Sequence, residues 1–413
     1  MQNIPVQVNS EVGRLRSIVL HKPFAELDNL IPDNMHRLLF DDIPDARLAA
    51  EEYDVYIDIL KNAGVEIFFI EDLVAEALDH SKLHQSFVRD FLADHNFEDE
   101  KELEYLTQFF LDIKDSHEMV LKLIAGLRKE ELDAQGLKLF KDFGGEEELL
   151  VVDPLPNLYF TRDPFTFIGD TVSMNSMYAQ ARRPECRLSR FFFHHHPDFA
   201  DKIQIHNDPD AQEQIDSTIE GGDILILNEQ TIAIGVSQRT RKEAIYELAK
   251  SYFNKGATRD LQQVLAFEIP SKRAYMHLDT VFTQLDEDCF VVHPGIEGVL
   301  TVHELKYQNG ELKQKDLEGT LEEILSFYMG KEKIRLIKCG GDSPVDAERE
   351  QWNDGANTLA IAPGEVIVYG RNNVSNRLME EAGLKLYKLP ISELARGRGG
   401  PHCMSMPMFR DLM

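Results

Sequence analysis

Hydrophobic and polar positions follow two different periods along this chain, and the change between them divides it. Arg14 to His21 (RLRSIVLH) is apolar at its centre, which predicts a strand. Arg47 to Ala63 repeats apolar residues at three- and four-residue steps, as an amphipathic helix does, and Val65 to Ile70 returns to a strand pattern. From about Leu73 to Asp142, Leu, Phe, Ile and Met recur at helical spacing, charges fill the gaps and proline is absent. That stretch predicts several packed helices, with acidic runs such as Glu98 to Glu104 as solvated faces.

After Asp142 short strands dominate and one unit recurs. Arg162-Asp163 leads into PFTFIGD and TVSMN. Glu220-Gly221-Gly222-Asp223 leads into ILIL, a turn at Asn228-Glu229, TIAIG, and a helix over Thr240 to Ala249. Leu278-Asp279 leads into TVFTQL and DCFVVHPG. Ala356-Asn357 leads into TLAIA, a Pro363-Gly364 turn, VIVYG, and a helix starting near Ser375. Asp163, Glu220 and His277 recur at equal intervals. Repeated hairpins predict a propeller-like array, with the N-terminal strand–helix–strand as a fifth unit. The expected fold is α/β: a five-fold pseudosymmetric α/β propeller of ββαβ units. Residues 1–72 and 143–413 would form the catalytic domain, and 73–142 an all-helical insertion. A plain mixed α/β sheet is the alternative.

Charge narrows the function. The 413 residues carry 44 Lys and Arg against 72 Asp and Glu, a net charge of −28. Nucleic-acid binding needs basic patches, and anionic membrane surfaces need the same, so both are disfavoured. A cationic substrate is favoured. The cysteines, Cys186, Cys289, Cys339 and Cys403, form no CxxC pair and no metal-ligand spacing. In a chain of this length they predict a reducing compartment rather than a disulfide framework. No apolar run reaches the roughly 18 residues of a membrane span, and the N-terminus has no charged start followed by an apolar core. The expected location is cytoplasmic.

Cys403 is the residue most suggestive of chemistry. It sits near the C-terminus in Gly397-Arg398-Gly399-Gly400-Pro401-His402-Cys403-Met404-Ser405. Glycines allow close backbone approach to a ligand. A thiol beside cationic Arg398 and His402 is expected to lean toward thiolate, the nucleophilic form. Asp163, Glu220, His277 and Asp279 stand at unit edges. Each has an ordinary reading: an acid before a strand caps it or makes a turn, and a lone His is core or surface.

Four segments together resemble the arginine deiminases, within the superfamily of guanidino-group-modifying enzymes. They are Asn157-Leu158-Tyr159-Phe160-Thr161-Arg162-Asp163-Pro164, Glu220-Gly221-Gly222-Asp223, His277-Leu278-Asp279-Thr280 and Gly399-Gly400-Pro401-His402-Cys403-Met404. The resemblance runs over nearly the whole chain and implies free L-arginine as substrate. Guanidinium is planar, cationic and rich in N–H donors, which carboxylates match with charge-assisted hydrogen bonds. By this resemblance Asp163 and Asp279 clamp the guanidinium and Cys403 is the nucleophile. His277 is the general acid and base, and Glu220 orients it. Arg182 and Arg239 match the arginines that bind the substrate carboxylate. Asn157 and Phe160 match lining positions, and Arg398 matches a loop arginine that gates the site. No metal or organic cofactor is implied, and at least a dimer is. Agmatine deiminase, dimethylarginine hydrolase and amidinotransferase share the Cys–His–Asp core. The two carboxylate-binding arginines argue against agmatine. A non-catalytic guanidino-binding protein and a generic Cys–His amidase are the readings from other classes.

Overall fold

The first and last strands of the chain are hydrogen-bonded neighbours. The computed structural model describes residues 4–413 apart from 96, 98, 141–148, 209–216, 255–260, 271, 273–274 and 297–300. In it β1 (Leu15–Leu20) runs antiparallel to β19 (Met406–Arg410) and parallel to β2 (Glu66–Phe69). Parallel neighbours need a crossover, and α1 (Ala46–Asn62) supplies it. Its buried residues, Ala46, Ala49, Ala50, Tyr53, Tyr56, Ile57 and Leu60, follow the three–four step read from the sequence. Asp45 caps it, accepting the Leu48 N–H at 2.8 Å.

The same plan, an antiparallel pair with a third strand returning parallel after a helix, recurs four times. The second unit is β5 (Phe165–Ile168), β6 (Thr171–Met174), α7 (Arg183–His195) and β7 (Gln204–His206). The third is β8 (Ile224–Asn228), β9 (Thr231–Val236), α8 (Lys242–Asn254) and β10 (Gln263–Glu268). The fourth is β11 (Phe282–Asp286), β12 (Cys289–Val292), α10 (Leu321–Met329) and β15 (Arg335–Lys338). The fifth is β16 (Leu359–Ala362), β17 (Glu365–Tyr369), α11 (Asn373–Glu381) and β18 (Lys385–Leu389). Gly364, at φ +73°, makes the β16–β17 turn that Pro363-Gly364 announced. These sheets and helices form a mixed α/β fold.

Helices α2 (Ile70–Ser81), α3 (His84–Ala93), α4 (Glu100–Leu111), α5 (Ser116–Ala125) and α6 (Ala134–Leu139) follow the first unit. Leu73, Val88, Leu106 and Val120 from them share one core with Phe165, Phe192 and Phe193 of the second unit. The stretch is not wholly helical: β3 (Leu127–Arg128) pairs with β4 (Leu150–Val152). The expected end of the helical segment, at 142, lies outside the described residues. Two further differences stand out. Leu278–Val281 forms a helical turn, α9, where a strand was expected to begin at Thr280. The Thr280 N–H and Oγ1 both donate back to the His277 carbonyl and close that turn. A hairpin of β13 (Thr301–Gln308) and β14 (Glu311–Leu317) extends the third sheet, in the order β14-β13-β10-β9-β8. Among the described residues no helix is long and apolar enough to cross a membrane.

A buried triad ties the end of β1 to the helical segment. His21 Nδ1 lies 2.8 Å from Glu71 Oε2, and its Nε2 lies 3.2 Å from Glu26 Oε1. Burial works against the charged ring, but Glu71 and Glu26 together push it up to about 10. A raised folded-state value stabilises fully below a free histidine's 6.5 and is lost as pH rises through about 10. Removing the ring strands two buried carboxylates, so His21→Gln is expected to lose about 3–5 kcal/mol near neutral pH. Denaturant titrations across this alkaline range should show wild-type stability declining toward that of His21→Gln. Parallel pH curves for the two proteins would contradict the charge assignment.

Candidate active site

Each unit holds a polar residue just before its first strand. Asp163 precedes β5, Glu220 and its Gly221–Asp223 turn precede β8, and Asp279 in α9 precedes β11. Asn357 precedes β16, and Cys403 precedes β19. Asp223 fixes the α9 turn, accepting the Leu278 N–H at 2.8 Å on Oδ1 and Ser237 Oγ at 2.7 Å on Oδ2. Gly222 is required by crowding: a Cβ there would stand 2.6 Å from His277 Nδ1 and 3.0 Å from Asp163 Oδ1.

The thiol lies between two of these residues. Asn357 Nδ2 donates to Cys403 Sγ at 3.1 Å, and Asn357 Oδ1 accepts the Cys403 N–H at 3.0 Å. Asp279 Oδ2 is 3.4 Å from Sγ and 2.8 Å from His402 Nδ1. Asp279 Oδ1 is buried and has no hydrogen-bond partner among the described residues. His277 Nε2 is 2.7 Å from Glu220 Oε2, and its Nδ1 is 3.8 Å from Asp163 Oδ1. Asp163 Oδ1 also accepts the Gly222 N–H at 3.1 Å. All five catalytic positions inferred from sequence are buried: Cys403 and Asp279 share one set of contacts and His277, Glu220 and Asp163 another, and charges of each set act on the other.

Their charges are strongly coupled. Burial pushes the Cys403 thiol well above its usual range, and Asp279, Asp163 and Asp354 push it further. Burial opposes charge on His277, yet Asp163, Glu220 and Asp223 hold it at about 9. Burial likewise opposes ionisation of Glu220, but Arg239 and His277 hold it well below the usual carboxylate range. Asp279 is lowered against its own burial, chiefly by His402. Asp354, buried with Oδ2 unpartnered among the described residues, is pushed up to about 7 by burial, with Arg398 opposing.

The substrate-lining residues fall less simply. Arg182 donates to Asp163 Oδ2 at 2.6 Å and to Glu185 at 2.8 Å, and Arg239 donates to Glu220 Oε2 at 3.2 Å. Both guanidinium groups thus sit on carboxylates of the second set. Asn157 turns its amide to the Leu38 carbonyl at 2.8 Å. Phe160 packs under the cysteine loop, where a Cβ on Gly399 would strike its ring. Arg398 stacks its guanidinium 3.4 Å over Trp352 and lies 3.5 Å from Asp41. The expectation that Arg398 and His402 favour a thiolate is therefore corrected. Arg398 faces Trp352, His402 faces two carboxylates, and the groups acting on the thiol are acidic. Asn357, Glu11 and Asp354 are site residues the sequence reading missed. Equivalence with Asp163 and Asp279 in the repeat could have pointed to Asn357. Asp163, Glu220 and His277 offer ligand atoms within 4.8 Å of one another, close enough for a metal ion. Two guanidinium groups already meet those carboxylates.

Known proteins share this chain's sequence and fold. A family model described as arginine deiminase matches residues 36–410. The chain is 44% identical over 410 residues to the arginine deiminase of Treponema denticola, covering 98% of each. It is 44% identical over 413 residues to that of Streptococcus pneumoniae, covering 100% of both. An amidinotransferase of saxitoxin biosynthesis from Microseira wollei superposes with a TM-score of 0.56 at 13% identity, over 99% of this chain and 98% of its own. The citrulline complex of DDAH from Pseudomonas aeruginosa does so with 0.51 at 14% identity, over 95% and 99%. At such identities these structures speak for the fold; the sequence match speaks for more, and the chain belongs to the arginine deiminase family.

Proposed function

We propose that the protein hydrolyses the guanidinium of free L-arginine to citrulline and ammonia, with Cys403 as nucleophile. One observation carries the reading. Asp279 places one oxygen on the thiol side and keeps beside it a buried oxygen with no partner among the described residues. A buried acceptor of that kind is costly unless a donor meets it, and guanidinium is a fork of donors. Family membership makes arginine the source of that fork.

Asp279 and Asp163 would hold the guanidinium plane and bring its central carbon to Sγ. Asp163 is engaged by Arg182, so substrate binding exchanges one guanidinium for another. Arg182 and Arg239, released from their carboxylates, would then bind the substrate's α-carboxylate. Asn157 and Phe160 would line the chain of the substrate, and Arg398 would close over it. The incoming cation also offsets the acidic groups that keep the thiol protonated, so the thiol gives its proton to water as arginine binds and the thiolate forms. Sulfur attacks the central carbon to form the C–S bond, and the carbon–nitrogen π pair moves to nitrogen. His277, protonated at neutral pH, gives a proton to the leaving nitrogen, and ammonia departs to leave an S-alkylthiouronium. His277 then takes a proton from water. The hydroxide forms the ureido C–O bond, the C–S bond breaks to return the thiolate, and the remaining hydroxyl proton is lost to solvent as the carbonyl forms. Glu220 keeps His277 aligned throughout.

The repeated placement of site residues at the head of each first strand supports reading the five units as blades around one axis. The shared helical core supports reading residues 73–142 as an insertion between 1–72 and 143–413.

Cys403→Ala is expected to abolish citrulline formation while leaving the unfolding transition in place. Acid-quenched wild type should show an adduct on the Cys403 peptide by mass spectrometry. Substantial citrulline from the alanine variant would remove Cys403 from the mechanism.

Asp163→Asn separates thiol charge from catalysis. Removing one negative neighbour should let the thiolate absorbance of Cys403, read as the difference from Cys403→Ala, emerge at lower pH. Citrulline formation should nevertheless drop by about 10²-fold or more, because the clamp is lost. A thiolate that emerges at unchanged pH would show that Asp163 does not act on the thiol.

A further inference from the structure

Asn357 spends its whole side-chain amide on three groups around the thiol. Nδ2 donates to the Asp279 carbonyl at 3.1 Å and to Cys403 Sγ at 3.1 Å, and Oδ1 accepts the Cys403 N–H at 3.0 Å. The side chain is fully buried. Its amide has only one workable orientation. Reversed, the oxygen would face the Asp279 carbonyl and the nitrogen would face the Cys403 N–H, like against like at both contacts. Those two partners are backbone groups and do not titrate. An N–H therefore points at sulfur in every protonation state of the site. Gly400 permits the close approach: a Cβ there would strike the Asn357 carbonyl and stand 2.7 Å from Oδ1.

We propose that Asn357 is a further catalytic residue, the fixed donor that stabilises the Cys403 sulfur whenever it carries negative charge. This deepens, and rests on, the arginine-hydrolysing function proposed above. Among the described residues Asn357 is the one side chain that donates to Sγ. The thiol itself points at Asp279 Oδ2, 3.4 Å away. When its proton leaves, that contact turns repulsive, whereas the bond from Asn357 becomes charge-assisted and stronger. The surroundings offer no substitute. Asp279, Asp163 and Asp354 are acids that oppose charge on sulfur. Tyr56, Tyr159 and Tyr369 also face it, but their hydroxyls donate to the carbonyls of Pro401, Leu394 and Gly399. His402 turns to Asp279 and Glu11, and His277 to Glu220. Asn357 heads the first strand of the fifth unit, as Asp163 and Asp279 head theirs, so that unit brings an uncharged donor to a place that is acidic in the other two. Sulfur is charged twice in each turnover. Its proton first goes to water, and the sulfur pair then forms the C–S bond. The same pair returns to sulfur as the ureido carbonyl forms. A donor already in place meets both charged states without reorganising.

Asn357→Ala and Asn357→Leu both remove the donor without adding charge, and leucine also fills the space. In each, the thiolate absorbance of Cys403 is read as the difference from the matching protein carrying Cys403→Ala. It should emerge about one pH unit higher than in wild type, which is about tenfold less thiolate at a given pH. Citrulline formation at saturating arginine should fall about 10²-fold. A defect of packing alone would lower activity and leave the thiolate where it was, and that result would overturn the proposal. A thiolate that moves while citrulline formation does not would overturn it too. Nitrogen NMR of wild type labelled at asparagine decides the matter even where the variants fail to fold. One side-chain amide should move downfield as the thiolate forms, and the same titration of Cys403→Ala should lack that movement. If no asparagine side-chain amide follows the thiolate, Asn357 is not its donor. A wild type that makes no citrulline would instead sink the proposed function, while absorbance and NMR, which need no arginine, still judge Asn357.

Discussion

Buried carboxylates must be met by cations, and this requirement organises the protein more than any single packing contact. Glu220 is met by His277 and Arg239, Asp163 by Arg182, and Glu26 and Glu71 by His21. Removing one partner from such a pair typically costs about 3–5 kcal/mol, because the remaining charge is stranded out of water. These pairs therefore constrain where the strands that carry them can sit. A chain with 72 acidic residues and 44 basic ones places its few interior cations where acids converge.

The cysteine depends on that lattice and on the pairing of the chain ends. Ten residues from a terminus, a thiol would ordinarily sit in frayed chain. Here β19 is held by β1, and the loop before it is tied from three sides. Tyr369 donates to the Gly399 carbonyl at 2.6 Å, Tyr56 to the Pro401 carbonyl at 3.1 Å, and Arg162 to Ser405 Oγ at 3.2 Å. Arg410, within β19, donates to the carbonyls of Gly13 and Ala360 and so links the terminal strand to β16. The order of the fold and the position of the proposed nucleophile are one property.

The hairpins were legible in the sequence because each pairs a short apolar run with a turn, as Pro363-Gly364 does between TLAIA and VIVYG. The candidate catalytic residues stood out through their motifs, and Asp163, Glu220 and His277 also through their equal spacing. What escaped did so for physical reasons. Strand β14 is exposed along most of its length, so no apolar alternation marks it. Thr280 was read into a strand because its β-branched neighbours suit one. Its hydroxyl instead bonds the His277 carbonyl, a tertiary consequence of placing His277 and Asp279 side by side. Glu11 lies in an irregular stretch, and it meets the site only once β1 and β19 bring His402 beside it. The thiolate expectation failed because sequence neighbours are poor guides to charge. Arg398 and His402 flank Cys403 in the chain, but their heads turn to Trp352, Asp279 and Glu11.

The charge balance also bears on turnover. A thiol among Asp279, Asp163 and Asp354 resists ionisation, and the groups that resist it are those suited to hold a guanidinium. In the proposed reaction the substrate supplies the missing positive charge, so the nucleophile is activated by the molecule it attacks. The ureido group of citrulline is neutral and brings no such charge. Arg182 can then reclaim Asp163 in a buried ion pair that citrulline cannot match. The same exchange of guanidinium groups that admits the substrate thus favours release of the product, and the direction of each swap follows from charge alone.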